Sequence, residues 1–431
     1  MGETKRNPGN TNGLIENVNE PDKKYSFLEL MKKIGPGAVV CATIIGPGTV
    51  TTCTLAGVNY QYALIWAGVF ATLAAIILQM TSSRLGIASG RSLGEVIYDT
   101  YDGTWLRYLF AVIIFITIGF GNSAFQSGNM VGAALGIQAV TPIPASLAAL
   151  IIAAITFALL WTGKSAAIEK IMTVMVFIMV ILFIVTAVVV KPDLGEIFAG
   201  FVPSIPPGAI LITIGVVGTT VIPHLLFLHS SLTSQKWANR NIRNALIESN
   251  FDTIFGMILC GIITICVIIT GASMYGTGTT IKDGLDMAKQ LEPIVGSWAK
   301  YVFGLGLFAA GITSSLSAPM SAAYALCSVM RWSTDMKDKK FRIIWIIVLL
   351  AGTIVTATGY NPVQIILTAQ AFNGVMLPIS AIILMMMVNN KKALGKYKNN
   401  LFWNVLGIFV IVVTIVLGIR TLYNVIPSLL G

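Results

Sequence analysis

Eleven apolar stretches without a charged residue divide this chain, and they constrain its fold more than any other feature. The hydrocarbon core of a bilayer is about 30 Å thick, so a helix that crosses it needs roughly 17 to 25 apolar residues. The stretches are Gly35–Val58, Tyr62–Met80, Tyr108–Ile137, Ala145–Trp161, Ile171–Val190, Ile210–Leu232, Thr253–Thr270, Tyr301–Met330, Ile343–Thr358, Pro362–Val388 and Leu401–Ile419. This pattern predicts an all-α polytopic membrane protein with eleven transmembrane helices, numbered here as spans 1 to 11.

The composition agrees with a membrane protein. Hydrophobic residues make up 55% of the 431 residues and charged residues 11%, whereas a soluble domain carries about 25% charged residues. The net charge of +10 does not indicate a nucleic-acid partner, because the basic residues lie between apolar stretches and not on one soluble face. All five cysteines fall in apolar stretches, which argues against a disulfide framework.

The distribution of lysine and arginine predicts the orientation in the membrane. Basic residues near the ends of spans are retained on the cytoplasmic side. With the polar leader 1–33 inside, 23 of the 28 basic residues are cytoplasmic and 5 are outside. The leader lacks an apolar core of the length that a signal peptide needs, so we expect it to remain as a cytoplasmic tail.

Glycine and proline interrupt spans 1 and 6 near mid-membrane. Span 1 contains Gly46-Pro47-Gly48, and span 6 contains a run from Gly215 to Pro223 with two glycines and a proline. Both runs predict a break in helical hydrogen bonding. Because the two spans are five apart they cross the bilayer in opposite directions, and such a pair indicates an inverted-repeat transporter with a site at the midplane. The alternative is a pair of ordinary proline kinks.

Several motifs resemble those of one transporter family. The run Leu78–Arg91 (LQMTSSRLGIASGR) is similar to the second-helix signature of the NRAMP (natural resistance-associated macrophage protein) metal-ion transporters, and Ile222–Ser230 (IPHLLFLHS) resembles their sixth-helix motif. Gly304–Leu316 on span 8 and Gln364–Gln370 on span 10 match further motifs in the same order.

The resemblance implies a LeuT-type fold, with two inverted repeats of five helices followed by one extra helix, in a plasma membrane. The chain would then consist of a polar cytoplasmic leader (1–33), a first repeat (34–200), a second repeat (201–388), and a cytoplasmic loop with the eleventh helix (389–431).

The chain departs from the family at the metal site. In the family the first-helix break reads Asp-Pro-Gly-Asn, and its Asp and Asn bind a transition-metal ion together with the Met of Met-Pro-His on the sixth helix. Those positions hold Gly46, Thr49 and Ile222 here, so the carboxylate, the amide and the thioether are missing. The family's third helix carries acidic residues tied to proton movement, but the run from Gly121 to Gly128 is neutral. No residue is therefore predicted as a confident metal ligand, and no cofactor is predicted.

Neutral groups around the two breaks form the predicted site. Gln370 matches a family position that contacts substrate, although an interhelical hydrogen bond would also explain it. Each threonine could instead bond back to its own helix. The predicted substrate-binding residues are Gly46, Gly48, Thr49, Thr219, Thr220, Ile222, His224 and Gln370, and the predicted helix breaks are Gly46, Pro47, Gly48 and Pro223.

Two further expectations concern the same region. The only histidines of the chain, His224 and His229, are candidate proton carriers, since a pKa near 6.5 allows titration near neutral pH. The alternative for each is a hydrogen-bonded structural histidine. We also expect Gly46–Thr49 and Thr219–His224 to lie side by side, because each break leaves backbone groups that hydrocarbon cannot satisfy.

The sequence favours a secondary transporter with alternating access. No zinc-protease, phosphate-binding or Cys/His catalytic motif is present, so an enzyme is not predicted. One hypothesis is movement of a divalent cation that stays partly hydrated, with weak or no proton coupling. The alternative is a small organic or anionic solute, since the acid of the family site is missing. A non-transporting sensor or scaffold is a third class, and a monomer in the lipid bilayer is the working assumption.

The charge asymmetry yields a topology prediction. Single cysteines introduced at Asn12 and Thr279 are treated in intact cells with an impermeant thiol reagent. We expect labelling at Thr279→Cys only, because the leader and the loop 389–400 are predicted inside and the loop 271–292 outside. Labelling of Asn12→Cys alone would overturn this topology.

Overall fold

The computed structural model describes residues 21–276, 292, 296–358 and 361–430, and every regular element within them is helical. The labelling positions Asn12 and Thr279 lie outside these residues. The helices are α1 Phe27–Met31, α2 Pro36–Ile44, α3 Pro47–Tyr60, α4 Ile65–Ser89, α5 Leu93–Tyr101, α6 Trp105–Ile114, α7 Gly121–Val140, α8 Ala145–Trp161, α9 Ser165–Val189, α10 Leu194–Ala199, α11 Ile210–Thr220, α12 Pro223–Lys236, α13 Ile242–Ala272, α14 Ala299–Val329, α15 Lys339–Ala357, α16 Pro362–Val388, α17 Lys391–Leu394 and α18 Leu401–Leu430.

The described helices account for eleven spans. Nine helical segments have the length and apolar character to cross a membrane, and the bent pair α2 and α3 forms a tenth span. The remaining span is α8, which is apolar but has only 17 residues. Span 3 consists of α6 and α7, joined by the π-helical turn Phe115–Phe120, and span 6 consists of α11 and α12. The predicted all-α polytopic fold is confirmed.

Span 7 is longer than its uncharged core predicts. The apolar stretch begins at Thr253, whereas α13 begins at Ile242 and includes two carboxylates. Glu248 accepts hydrogen bonds from Trp237 Nε1 at 2.8 Å and Arg240 Nη2 at 3.2 Å. Asp252 accepts two backbone hydrogen bonds from the start of α2. Because partners satisfy both carboxylates, the helix continues through residues that a hydropathy argument excludes.

The broken spans occupy the centre of the molecule. In the most apolar 18 residues of span 6 (Ile210–Lys236), 89% of the residues are buried. In the corresponding segments of Ala167–Val189 in α9 and Leu401–Tyr423 in α18, 33% are buried. All nine residues of α2 are buried as well. The outer helices therefore face lipid with apolar side chains, and spans 1 and 6 are surrounded by protein, which is the arrangement that irregular backbone in a membrane requires.

Spans 3 and 8 approach each other closely through small residues. A Cβ on Gly136 would lie 2.6 Å from the Phe308 backbone nitrogen, and one on Gly311 would lie 2.2 Å from the Ala133 Cβ and 2.6 Å from its Cα. Glycine is thus required where α7 and α14 touch, as in other membrane helix pairs that pack on small residues. This contact fixes the wall beside the broken spans.

The close approach of α7 and α14 predicts that two glycine-to-alanine substitutions differ in their effect on thermal stability. We expect Gly311→Ala to lower the thermal midpoint of the detergent-solubilised protein by several degrees, because its Cβ overlaps Ala133 and overpacking costs about 1 to 3 kcal/mol. Gly128→Ala is the matched control, since the nearest atom to its Cβ, at 3.6 Å, is at ordinary contact distance. Equal midpoints for the two variants would contradict the packing.

Candidate functional site

The break in span 1 is two residues long. α2 ends at Ile44 and α3 begins at Pro47, with Ile45 (φ −80°, ψ 60°) and Gly46 (φ −92°, ψ 176°) outside helical geometry. The two half-helices are bent by 50°. Pro47 is the first residue of α3, where its missing N–H costs nothing. The predicted break at Gly46–Gly48 is therefore wrong at Pro47 and Gly48, which are helical.

The break in span 6 has the same construction. α11 ends at Thr220, Val221 and Ile222 are non-helical, and Pro223 is the first residue of α12. Ile222 is in extended geometry (φ −98°, ψ 127°) and its side chain is fully buried. Pro223 thus begins the second half-helix and does not lie within the unwound stretch, contrary to the prediction.

A pair of hydroxyl groups joins the two broken spans. Thr49 Oγ1 lies 2.7 Å from Thr219 Oγ1, and Thr49 also donates to the Ile44 carbonyl. Since the Thr49 proton is directed to that carbonyl, Thr219 must donate to Thr49. Both side chains are buried. The expectation that Thr49 and Thr219 lie side by side is confirmed.

Ser314 occupies the space beside Gly46. Its hydroxyl donates to the Thr43 carbonyl at 3.0 Å, and a Cβ added to Gly46 would lie 2.5 Å from Ser314 Oγ. The Ile44 carbonyl already accepts hydrogen bonds from Thr49 and from the Gly46 N–H. Two carbonyls near the break are therefore bonded internally, and a longer side chain at position 46 would displace Ser314. Ser314 lies within the span 8 motif Gly304–Leu316, but the motif did not predict this role.

Gln370 on α16 lies against the first turn of α3, next to the break of span 1. A Cβ on Gly48 would lie 1.9 Å from Gln370 Nε2, so the amide lies directly against the backbone of that glycine. Gln370 is fully buried, and neither its Oε1 nor its Nε2 has a hydrogen-bond partner. Thr52 Oγ1, on the same half-helix α3, is buried without a partner as well. Unpaired buried polar atoms are costly in a protein interior, so each of these groups lacks a partner that it would be expected to have.

The two histidines occupy different surroundings. The ring of His224 packs against Phe125 of α7 with 5.2 Å between centroids, and its Nε2 is buried without a partner. His229 Nδ1 lies 3.0 Å from Gln79 Oε1 of α4, which matches the structural alternative for this residue. Nε2 of His229 has no partner. Gln79, whose role the sequence did not predict, therefore orients His229.

The wall formed by spans 3 and 8 is polar but uncharged. Asn122 donates to the Ala318 carbonyl at 3.2 Å, Gln126 to the Ser315 carbonyl at 3.4 Å, and Asn129 to Gln126 at 3.4 Å. All three side chains on α7 are buried. The described residues contain no group of three or more His, Cys, Asp or Glu side chains that could hold a metal ion.

The remaining predicted residues contribute little that is polar. Thr220 bonds back to the Val216 carbonyl at 3.1 Å, which is the local alternative for a threonine in a helix. Ile222 adds only an apolar surface. The structure thus brings Thr49 and Thr219 together, and it brings Gly48 and Gln370 together. His224 faces Phe125 on α7.

Comparison with known proteins identifies the family. The family model described as "Natural resistance-associated macrophage protein-like" (Nramp) matches residues 37–424. The chain belongs to the Nramp family. It is 26% identical over 410 residues to the divalent metal cation transporter MntH of Bacillus subtilis (strain 168), covering 92% of this chain and 93% of that protein.

Solved structures show the same fold. A crystal structure of the Eremococcus coleocola manganese transporter superposes with a TM-score of 0.81 at 21% identity, covering 97% of this chain and 91% of that one. Mhp1, a nucleobase-cation-symport-1 family transporter, matches with a TM-score of 0.56 at 14% identity, covering 92% of this chain and 93% of that one. The predicted fold of two inverted five-helix repeats and one extra helix is confirmed for this Nramp protein.

Proposed function

We propose that this Nramp protein is a secondary transporter for a divalent metal cation that keeps part of its water shell. The hydroxyl pair of Thr49 and Thr219 carries the proposal, because it places neutral oxygens where the two broken spans meet. The name of the Bacillus subtilis relative, a divalent metal cation transporter, supports a metal ion as the substrate. We further propose a monomer in the plasma membrane with its N-terminus in the cytoplasm.

The neutral donor set favours a hydrated cation. A dehydrated divalent ion in a low-dielectric site needs carboxylates, and softer ions add imidazole or sulfur ligands. The groups that face the breaks here are the hydroxyls of Thr49, Thr52 and Thr219 and the amide of Gln370. Mg²⁺ gives up its waters reluctantly and is usually bound through several of them. Neutral oxygens that accept from such waters can replace its outer hydration shell.

Proton coupling is proposed to be weak or absent. The buried side chains of span 3 at the wall, Asn122, Gln126 and Asn129, do not titrate near neutral pH. His224 and His229 are then the groups at the site that could carry a proton. Both histidines have an Nε2 without a hydrogen-bond partner, but His229 is held by Gln79 through Nδ1, and His224, next to Pro223, is the one beside the break.

A small organic or anionic solute is the second candidate. It is favoured by one observation, the buried amide of Gln370, which offers both an unpartnered donor and an unpartnered acceptor. The fold does not decide between the two classes, because Mhp1 shares it and belongs to the nucleobase-cation-symport-1 family. Uptake assays with both kinds of substrate separate them.

Alternating access is proposed to work through the half-helices α2 and α12. Asp252 of α13 accepts from the Gly35 N–H at 3.0 Å and from the Gly37 N–H at 2.8 Å, so it holds the start of α2 against span 7. Lys236 at the end of α12 donates to the Lys33 carbonyl. These bonds close the side of the site that we assign to the cytoplasm. Opening on that side requires their release.

The segment before α1 reinforces this closure. Asn244 of α13 accepts from the Lys23 N–H at 3.0 Å and donates to the Pro21 carbonyl at 2.9 Å. Burial raises the pKa of Tyr25 to about 12, and the neighbouring Glu248 carboxylate acts in the same direction. The phenol is therefore protonated at neutral pH, and the two hydrogen bonds of Asn244 tie this segment to α13.

The donor set predicts weak manganese binding. We expect the wild-type protein to bind Mn²⁺ no better than the millimolar range, about 4 kcal/mol or less, in calorimetry. The triple change Gly46→Asp, Thr49→Asn and Ile222→Met should improve binding, and adding Ser314→Ala should improve it further, because Ser314 Oγ lies 2.5 Å from where the new Cβ would be. Gly46→Asp alone should improve Mn²⁺ binding less. A single buried carboxylate loses its hydration, and without the other ligands it supplies only part of the coordination shell of the ion.

A matched variant and a flux assay complete this test. The matched control is a fourfold variant that carries Gly46→Asn in place of Gly46→Asp. The asparagine side chain has the shape of aspartate without its charge, so we expect this control to lose most of the improvement in Mn²⁺ binding. In proteoliposomes we expect uptake of Mg²⁺ or Mn²⁺ without acidification of the lumen. Uptake of an amino acid or organic acid, with no cation uptake, would favour the second candidate. Micromolar Mn²⁺ binding by the wild type, with the ion between Thr49 and His224, would refute the argument from the missing acid.

Asp252 predicts the accessibility of the cytoplasmic half-helix. In inside-out vesicles, we expect Asp252→Ala to increase maleimide labelling of Cys41 on α2 several-fold, because α2 loses both bonds to α13. Asp252→Asn keeps an acceptor and should have a smaller effect. Cys53 on α3 is the internal control, since unfolding would expose both buried cysteines. Unchanged Cys41 labelling, measured by peptide mass spectrometry, would contradict this role.

A further inference from the structure

A cationic site outside the transport path lies where spans 2 and 11 meet. Arg84 of α4 is partly buried, and its guanidinium carbon lies 5.0 Å from the ring centre of Trp403 on α18. Among residues 21–276, 292, 296–358 and 361–430 it makes no ion pair, and its Nε is buried without a hydrogen-bond partner. Burying a guanidinium without an anion is unfavourable. The site therefore lacks a negative charge.

Side-chain amides hold the start of α18, where Trp403 lies. Asn404 accepts from Asn389 at 2.9 Å and from Asn399 at 3.1 Å, and it donates to Asn389 at 3.0 Å. Asn400 accepts from the Trp403 N–H at 3.1 Å, which caps the start of α18. The Trp403 ring itself contacts the edge of the Phe402 ring, with 5.8 Å between centroids, and the guanidinium lies over it.

The surroundings of Arg84 are basic. The segment between spans 10 and 11 packs through α17 against α4, and it carries four exposed lysines, Lys391, Lys392, Lys396 and Lys398. From residue 339 to the end the chain contains no acidic residue. On the neighbouring helix α5, Asp99 pairs with Arg91 and Arg331, and Glu95 accepts from the Ser92 N–H. These nearby carboxylates already have partners.

The same site adjoins a surface that faces lipid. Leu401, Phe402 and Val405, in the first two turns of α18, are 79%, 63% and 56% exposed. Arg84 lies six residues before Gly90, which is about 9 Å along the helix axis from the end of α4. Trp403 is the third residue of α18, and tryptophan near the end of a span is typical of the interface region of a bilayer. A ligand here meets positive charge at one end and an apolar surface at the other.

We propose that Arg84 and Trp403 bind the headgroup phosphate of an anionic phospholipid whose acyl chains lie along the start of α18. The phosphate supplies the charge that the guanidinium lacks, and the lysines of the loop favour an anionic over a zwitterionic headgroup. A lipid is favoured over free phosphate because the exposed Leu401, Phe402 and Val405 continue the site into the hydrocarbon.

Native mass spectrometry of the full chain, loaded with phosphatidylglycerol or phosphatidylcholine, tests this site. We expect wild-type protein to retain phosphatidylglycerol preferentially, and Arg84→Gln to reduce that preference about tenfold, since a hydrogen bond to a charged group is lost. Arg84→Lys should retain part of the preference for phosphatidylglycerol, because it keeps the positive charge. This variant keeps the site testable if Arg84→Gln does not fold. Trp403→Ala should weaken the preference as well.

Control variants distinguish a specific lipid site from diffuse attraction and from a free-anion site. Arg243→Gln removes an exposed arginine paired with Asp22 and should leave the preference unchanged. If replacing the four loop lysines by glutamine abolishes the preference while Arg84→Gln does not, attraction is diffuse and the proposal is wrong. Displacement of the lipid by inorganic phosphate at millimolar concentration would mean a free-anion site and would also overturn it. Equal retention of both lipids by the wild type has the same consequence.

Discussion

Every backbone polar group inside a bilayer must find a partner within the protein, and the architecture of this molecule follows from that constraint. Spans 1 and 6 are each interrupted for two residues. Such interruptions are tolerated only in the centre, where other helices and their polar side chains reach them. Ile210–Lys236 is accordingly much more buried than the lipid-facing helices α9 and α18.

The same constraint explains why two backbone carbonyls near the break in span 1 already have hydrogen-bond partners. Ser314 bonds to the Thr43 carbonyl, and Thr49 bonds to the Ile44 carbonyl. A carboxylate at position 46 would need a compensating ion or proton in this interior, whereas a glycine beside a serine hydroxyl is neutral in every state. The protein therefore keeps the broken-helix geometry of the Nramp family without its negative charge. The site as we propose it offers a set of neutral oxygens, which would attract a dehydrated metal ion only weakly.

Close packing sets how the central spans can move. Gly132 lies against Pro47, where an added Cβ would be 1.9 Å from the proline Cβ, and Gly218 lies similarly close to the backbone of α16. On the other side, Asp252 holds the start of α2 by two charge-assisted hydrogen bonds. Close backbone contacts also hold α2, since an added Cβ on Gly37 would lie 2.5 Å from the Asp252 carbonyl oxygen. The start of α2 is therefore held by both packing and polar bonds, of which only the polar bonds can be exchanged with water.

The sequence determined the fold class, because eleven apolar stretches of bilayer length and two antiparallel breaks admit few other architectures. It also determined the absence of carboxylate, amide and thioether at positions 46, 49 and 222, since these are facts of composition. It placed the breaks within one or two residues, with the error at Pro47, Gly48 and Pro223, because proline marks the first turn of the next half-helix as readily as the unwound stretch.

Only the tertiary structure decided which polar groups are partnered. Thr49, Thr219 and Thr220 are alike in sequence, yet the first two bond to each other across 170 positions of the chain and the third bonds to its own helix. Asp252 lies outside the family motifs, and Ser314 and Gln79 lie within them without a predicted role, since a hydroxyl, an amide or a carboxylate gains its role from the backbone that packs against it. Hydrophobic patterning acts locally along the chain, whereas hydrogen-bond partners are chosen by helix packing, and so the chemistry of the site emerged only with the fold.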